Sequence, residues 1–454
     1  MNEPAIRIKS KLPYIELRRV PATVLMIIYA ACFFAFAVWV VSESGYMNLP
    51  PEVGDGQAYD NIAYNLAVGN GFGHDWSDEA WREPYLKSNN DGYYDWVLEH
   101  QGPYYPTAFR PPLFPAILSG IYSIGGRKFS TWRYVNIGIT VTVATLSAAF
   151  AYALAGAIPA LIAAALAFFD TSFLFYVHRY MTEPLAALLI LILVWTLLRY
   201  AASPERLYAL LAGTVFGLML LLRNIFLIWL PLILLLLWVL SGRVNSIPDR
   251  CWRLFAFLAP ALILSVPWYA RNCLVTGEFM PTGTQGTRVL AVGYSDAMFD
   301  TGGKWTFKTK MKILSSFDSA PIGGIQGEVM MAKEGKQRTV DWISKNYSRL
   351  PQLVALKITS LWWVDAQGYQ HFLILLGLIG LFVVFGSSAF LVLGGLLVAN
   401  TIAIALTWNV PHGRFLIPIH PILYFLAACA VYKLYLPLAA VGSKLVGKQA
   451  GAAS

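Results

Sequence analysis

The chain has 454 residues, 57% of them hydrophobic and only 13% charged, with a formal net charge of +9. A soluble chain of this length carries about a quarter charged residues, whereas several stretches here run for roughly 18 residues or more almost without charge, enough to cross a bilayer as a helix. An ordinary soluble fold is excluded, and with no nucleic-acid-reading motif or long basic run the composition predicts an all-α polytopic membrane protein with no nucleic-acid partner.

The first apolar run, Val20 to Val41, follows Arg7, Lys9, Lys11, Arg18 and Arg19. It is longer than the core of a secretory signal and has no small-residue cleavage pattern after it. It reads as an uncleaved anchor, with 1–19 a cytoplasmic tail. An acidic, aromatic, glycine-punctuated segment follows, in which Asp55-Gly56 has the composition of a turn. The tryptophans and tyrosines between Trp76 and Tyr105 suit either an interfacial belt or a sugar-stacking platform. Pro112 to Ile124 is apolar but too short to span comfortably.

Further candidate spans are Trp132–Ala155, Ile158–Val177, Pro184–Tyr200, Leu207–Leu222, Ile225–Leu240 and Leu254–Tyr269. After a second long polar segment come His371–Gly386, Ala389–Trp408 and Phe415–Tyr435, then a cytoplasmic tail, 436–454. That makes about ten transmembrane helices in one module, 20–435, with external loops 42–131 and 271–370. Pro112–Ile124 and Leu350–Trp363 are read as external juxtamembrane helices near the interface. The mid-span segments read as free of acidic residues, and no second copy of the first half is visible. Cys32, Cys251, Cys273 and Cys429 have neither metal-ligand nor redox spacing.

Charge supports this map. Arg199 to Arg206, Arg243, Arg250, Arg253, Lys433, Lys444 and Lys448 all fall on the cytoplasmic side, as the positive-inside bias requires. On the opposite side the map gathers Asp55, Asp60, Arg110, His178, Arg179, Tyr180, Glu183, Arg223, Asn224, Arg271, Asn272, His412 and Arg414. Arginines there run against the bias, and a shared anion is one reason for them, because guanidinium binds phosphate in a two-pronged geometry. Each residue also has a plainer reading. Thr182-Glu183-Pro184 looks like a helix start, and Arg271 and Arg414 suit helix ends whose cations reach lipid headgroups.

Five motifs occur in order: "GDGQAYDNIAYNLAVGNGF" (Gly54 to Phe72), "FRPPLFPAILSGIYSIGG" (Phe109 to Gly126), "MTEPLAALL" (Met181 to Leu189), "PWYARNCLVTGEF" (Pro267 to Phe279) and "PHGRFLIPIHPIL" (Pro411 to Leu423). Together they resemble the GT-C superfamily of membrane glycosyltransferases, in particular bacterial proteins similar to protein O-mannosyltransferases and to the lipid A aminoarabinose transferase. The resemblance implies inverting transfer of a hexosyl or pentosyl unit from a polyprenyl-monophosphate donor to an extracytoplasmic acceptor, whether lipid A or lipopolysaccharide, another glycan or a protein. It implies a bacterial inner-membrane enzyme with its site facing the periplasm.

By that resemblance Asp55 is the catalytic base and Glu183 orients the acceptor or a metal. Arg271, Arg414 and His412 would hold the donor phosphate, with Arg110 and Arg179 as further phosphate ligands. Tyr59, Asp60, Tyr180 and Asn272 would contact acceptor or sugar. A divalent metal (Mg2+ or Mn2+) on Asp55 and Glu183 is left open, since Asp55 is followed by Gly56 where the family often has a second carboxylate. The alternatives are a lipid-linked sugar flippase or transporter, and an O-antigen ligase or polymerase using a polyprenyl-pyrophosphate donor. Acceptor choice is expected in the loop 271–370, the largest segment without family motifs.

Overall fold

The computed structural model describes residues 22–435 apart from 53, 100, 244–245, 321, 365–367 and 411–412. The tails 1–19 and 436–454 and the phosphate candidate His412 therefore lie outside the described residues. The chain is helical almost throughout. α1 (Ala22–Glu43) is followed in the first loop by α2 (Asp55–Ala67), α3 (Glu79–Lys87), a short helical turn at Asp95–Glu99 and α4 (Leu113–Gly125). Next come α5 (Phe129–Ala155), α6 (Ala157–Phe168), α7 (Glu183–Ala202), α8 (Arg206–Leu222), α9 (Asn224–Leu240) and α10 (Ile247–Thr276). The second loop carries α11 (Gln285–Gly293), α12 (Phe307–Ser315), α13 (Gly324–Lys345) and α14 (Leu350–Thr359). The chain then closes with α15 (Tyr369–Val383), α16 (Ser388–Ala405) and α17 (Ile417–Tyr435).

Six of these helices are long and apolar enough to cross a membrane: α1, α5, α7, α10, α16 and α17. α6, α8, α9 and α15 are shorter apolar helices at the four other expected spans. The protein is thus an all-α polytopic membrane protein, with α4 and α14 where the two short external helices were expected. One expected span is corrected. Ile158–Val177 is not continuous, because its helix ends at Phe168 and Asp170 caps a new turn by accepting from the Phe173 N–H at 2.9 Å. Asp170 also corrects the reading of acid-free mid-spans. It is fully buried and accepts from Tyr424 at 2.6 Å, with His420 Nδ1 equally close. An unpaired carboxylate in an apolar interior is costly, which explains why three polar side chains converge there.

Apolar packing holds the bundle. α8 lies along α10, and a Cβ at Gly213 would sit 1.9 Å from the Phe257 carbonyl oxygen. Between membrane helices such small residues let backbones approach closely, where dispersion contacts take over from the hydrophobic effect. α17 is the most enclosed span, while α1 and α10 are the least. In the first loop α2 packs on α4, with Phe114 edge-on to both Tyr59 and Trp132. A two-residue antiparallel ladder pairs β1 (Gly73–His74) with β2 (Tyr105–Pro106), in register Gly73↔Pro106 and His74↔Tyr105. The stretch after α2 and the stretch before α4 are thereby tied together.

Candidate active site

Asp55 is not in a turn, as its neighbour Gly56 suggested, but is the first residue of α2. The turn lies one residue earlier, at Gly54, whose φ of 105° is open to glycine but strained for other residues. The Gln57 side chain accepts from the Gly54 N–H at 3.4 Å, and an acid at a helix N-terminus is favoured by the backbone dipole. The carboxylate is thus delivered at a fixed point beyond the first span.

Two arginines meet it. Arg110 Nη2 donates to Asp55 Oδ1 at 2.6 Å, and Arg414 Nη2 donates to Oδ2 at 3.0 Å. Arg414 also donates through Nε to Glu183 Oε1, the same oxygen that receives Arg223 Nη2 at 2.5 Å. Arg223 Nε reaches the Thr182 hydroxyl at 2.7 Å, so Thr182 does not cap α7 with its side chain but braces the arginine instead. Five charged residues from separate segments form one chain, Arg110–Asp55–Arg414–Glu183–Arg223. The side chains of Asp55 and Arg414 stay 25% and 21% exposed while Glu183 is fully buried, so substrate can reach the first two but not the third.

The charge does not balance within this chain: three guanidiniums face two carboxylates. Lys310, on α12, adds to the surplus, whereas Arg288, on α11, has Glu328 as its main opposing charge. Both are half-buried cations near Arg110, and their ring contacts are with Trp305 and Phe109 respectively. Burial alone would raise the Asp55 carboxyl, but Arg110, Arg414 and Lys310 outweigh it and hold it well below the usual range. Burial likewise lowers the Lys310 ammonium; Asp55 opposes this, while Arg110, Arg288 and Arg414 push the same way. A surplus of half-buried cations around one ionised acid is an anion-binding arrangement.

A divalent metal on Asp55 and Glu183 does not fit these residues. The Arg414 guanidinium already bridges the two acids, and a cation placed there would face three arginines. Among the described residues no group of three or more His, Cys, Asp or Glu is placed to hold a metal ion.

The other expected site residues divide. Tyr59 is buried beneath Arg110, whose guanidinium lies 4.9 Å from its ring centroid. Asp60 is fully buried and saturated, accepting from Trp81 Nε1 at 2.7 Å, Tyr85 at 2.9 Å, Tyr122 at 2.6 Å and Arg127 Nη2 at 2.5 Å. Tyr180 is buried with its hydroxyl on the Phe129 carbonyl at 3.2 Å, and Asn272 is buried with its amide on the Pro281 carbonyl at 2.9 Å. Asp60, Tyr180 and Asn272, buried with their polar atoms already partnered, stand in the frame behind the site, and Tyr59 underlies Arg110 there. Much of the aromatic first loop belongs to this frame too, because Trp81, Tyr85 and Tyr94 are buried.

Arg271 stands apart from the ion chain. It donates to the Thr107 carbonyl at 2.5 Å and the Phe72 carbonyl at 2.9 Å, between the rings of Phe72 and Trp268. Its donors tie the end of α10 to the first loop. Arg271→Ala is expected to lower stability by about 1–3 kcal/mol, the cost of leaving buried carbonyls unpaired; an unchanged thermal midpoint would show that these bonds carry no weight. Arg179 lies over the Phe175 ring, 4.0 Å from its centroid. Its charge acts on Glu52, whose carboxyl burial pushes up and Arg179 draws back down. Sequence reasoning passed over Lys310, Arg288 and Glu52 and assigned Arg223 no role. Arg223 carried a signal, as an arginine against the charge bias; the two cations of the second loop carried none.

No family model matches the chain, and no curated protein matches it. Among solved structures the chain is similar to ArnT from Cupriavidus metallidurans bound to undecaprenyl phosphate, at 13% identity over 89% of this chain and 77% of that one, with a TM-score of 0.41. The apo state of the same protein aligns at 15% identity over 90% and 78%, with a TM-score of 0.40. The chemistry of the site stands on this chain's own residues.

Proposed function

We propose that the protein is a membrane glycosyltransferase that moves a hexosyl or pentosyl unit, with inversion, from a polyprenyl-monophosphate donor to an acceptor hydroxyl at the periplasmic face of a bacterial inner membrane. The observation that carries this reading is the partly exposed Asp55 carboxylate, clamped by Arg110 and Arg414 at the end of a membrane helix bundle and surrounded by surplus cations. The five ordered motifs support it.

In this reading the acceptor oxygen attacks the anomeric carbon from the face opposite the phosphate. A bond forms between them, the bond from that carbon to the phosphate oxygen breaks, and its electron pair leaves on the lipid phosphate. Asp55 takes the acceptor's proton. The leaving phosphate is already a stable anion, so it needs positive charge more than a proton. Arg110, Arg414 and Lys310 supply that charge. Glu183, closed to substrate, acts by holding Arg414.

The clamp also explains how so weak a base becomes effective. An acid held far below its usual range is a poor proton acceptor, because general bases work best near the operating pH. A phosphate that draws Arg110 and Arg414 toward itself loosens their hold on Asp55, and the carboxylate gains basicity as the donor binds. Activation and donor binding are then one event.

The test is transfer of sugar from a defined polyprenyl-monophosphate sugar by purified protein, with mass spectrometry of envelope glycans from cells with and without it. Transfer only from a pyrophosphate-linked donor, or movement of donor across vesicles without transfer, would replace the reading. Lys310→Ala is expected to weaken titration with polyprenyl phosphate about tenfold, or about 1.4 kcal/mol, with the fold intact. An unchanged affinity would remove Lys310 from the site.

A further inference from the structure

Glu328, on α13 of the second loop, lies outside the ion chain yet has an unusually complete set of partners. It is 8% exposed. Its Oε1 accepts from the Thr107 hydroxyl at 2.5 Å, and its Oε2 accepts from the Ala108 N–H and the Thr284 hydroxyl, each at 3.1 Å. Thr107 and Ala108 are themselves wired on every side. The Thr107 N–H donates to the Phe72 carbonyl at 3.3 Å and the Thr284 N–H to the Ala108 carbonyl at 3.0 Å. The Phe109 N–H donates to the Thr107 hydroxyl at 3.1 Å, and the Thr107 carbonyl receives Arg271. Two residues beyond Ala108 is Arg110, 2.6 Å from Asp55.

We infer that Glu328 is a positioning residue: by clasping Thr107 and Ala108 it fixes the segment that sets the Arg110 guanidinium on Asp55, so transfer depends on a second-loop carboxylate that never touches substrate. This rests on the glycosyltransferase reading for its effect on rate, but the clasp itself is independent of it. The physical ground is donor satisfaction. Three donors from two segments converge on one side chain, and no other acceptor within this set of bonds could take the Ala108 N–H if Glu328 were removed. A buried donor left without a partner costs enough to shift the local backbone, and a displacement of about 1 Å in a catalytic group costs up to a hundredfold in rate.

The role predicts a particular pattern of rescue. Glutamine at this position keeps one oxygen for Ala108 and Thr284, and its NH2 can donate to Thr107, whose hydroxyl can turn to accept. Alanine keeps nothing. In full-length protein in lipid nanodiscs, Glu328→Ala is expected to lower kcat ten- to a hundredfold or so, with KM for the donor changed far less. Hydrogen exchange over the segment 104–112 should quicken. Glu328→Gln should stay within about threefold of wild type in rate and keep slow exchange.

The inference is overturned if Glu328→Ala matches wild type in rate and exchange. It is also overturned if Glu328→Gln is as inactive as alanine, because the charge itself would then be what matters. Titrating each variant with polyprenyl phosphate counts folded sites and separates slow sites from fewer sites; a loss of rate explained wholly by fewer sites counts against positioning. Should wild type transfer no sugar at all, the functional reading fails while exchange still decides the clasp.

Discussion

Asp55→Asn should lower sugar transfer about a thousandfold, within the range ascribed to a positioned general base, while leaving the protein folded and able to bind polyprenyl phosphate. Asparagine keeps the shape and one acceptor oxygen but removes the charge and the proton acceptor. Arg110 and Arg414 then lose their shared anion, and the site becomes more cationic. Donor phosphate should therefore bind at least as tightly as to wild type, and this pairing of lost rate with kept or improved affinity separates a base from a structural acid. Near-normal turnover by the variant would end the assignment.

The same electrostatics give a pH expectation. Because the folded carboxyl is held below its unfolded value, its stabilising contribution is complete above the unfolded pKa of about 3.9 and is lost only as pH falls through the lower folded value. In the free enzyme Asp55 stays ionised through the weakly acidic range. A fall in kcat/KM, which reports the free enzyme, between about pH 5 and 7 belongs to some other group, and in Asp55→Asn its midpoint should not move.

Arg414→Ala is expected to be the most disruptive single change in the site, because among the described residues Arg414 alone touches both acids. Its loss leaves Asp55 to Arg110 and the fully buried Glu183 to Arg223, with Glu183 Oε2 already lacking a partner. Breaking a buried ion pair costs about 3–5 kcal/mol. Since Arg414 and Asp55 are each partly open to solvent, a fall of about 2–3 kcal/mol is expected after screening, with transfer lost as well. Arg414→Lys should retain more stability than activity, because an ammonium cannot present Nε to one acid and Nη2 to the other. Thermal unfolding beside kcat measures the split. An alanine variant with an unchanged midpoint and rate would show that the bridge is idle.

How far the primary structure carries can be judged at particular residues. Asp55, Glu183, Arg110 and Arg414 stand in motifs, and hydropathy with charge parity placed them at one end of the bundle. The structure joins those four in a single ion chain. Asp60, from the same motif and five residues from Asp55 on the same helix, is closed inside the frame. A motif says which residues recur together; it does not say whether a side chain points out to a ligand or in toward Trp81, Tyr85, Tyr122 and Arg127. Facing is settled by packing.

The apolar runs by themselves determined a helical membrane protein, because a stretch of some twenty uncharged residues has no other way to satisfy its backbone in lipid. They also determined roughly where the helices lie, and the motifs which acids to watch. Only the tertiary structure decided that Arg414 bridges Asp55 and Glu183, that Arg271 binds carbonyls instead of joining them, and that Lys310, Arg288 and Glu328 come to the same place from the second loop. Those contacts join residues far apart in the chain, and their energies depend on burial and distance, which arise only when the helices pack.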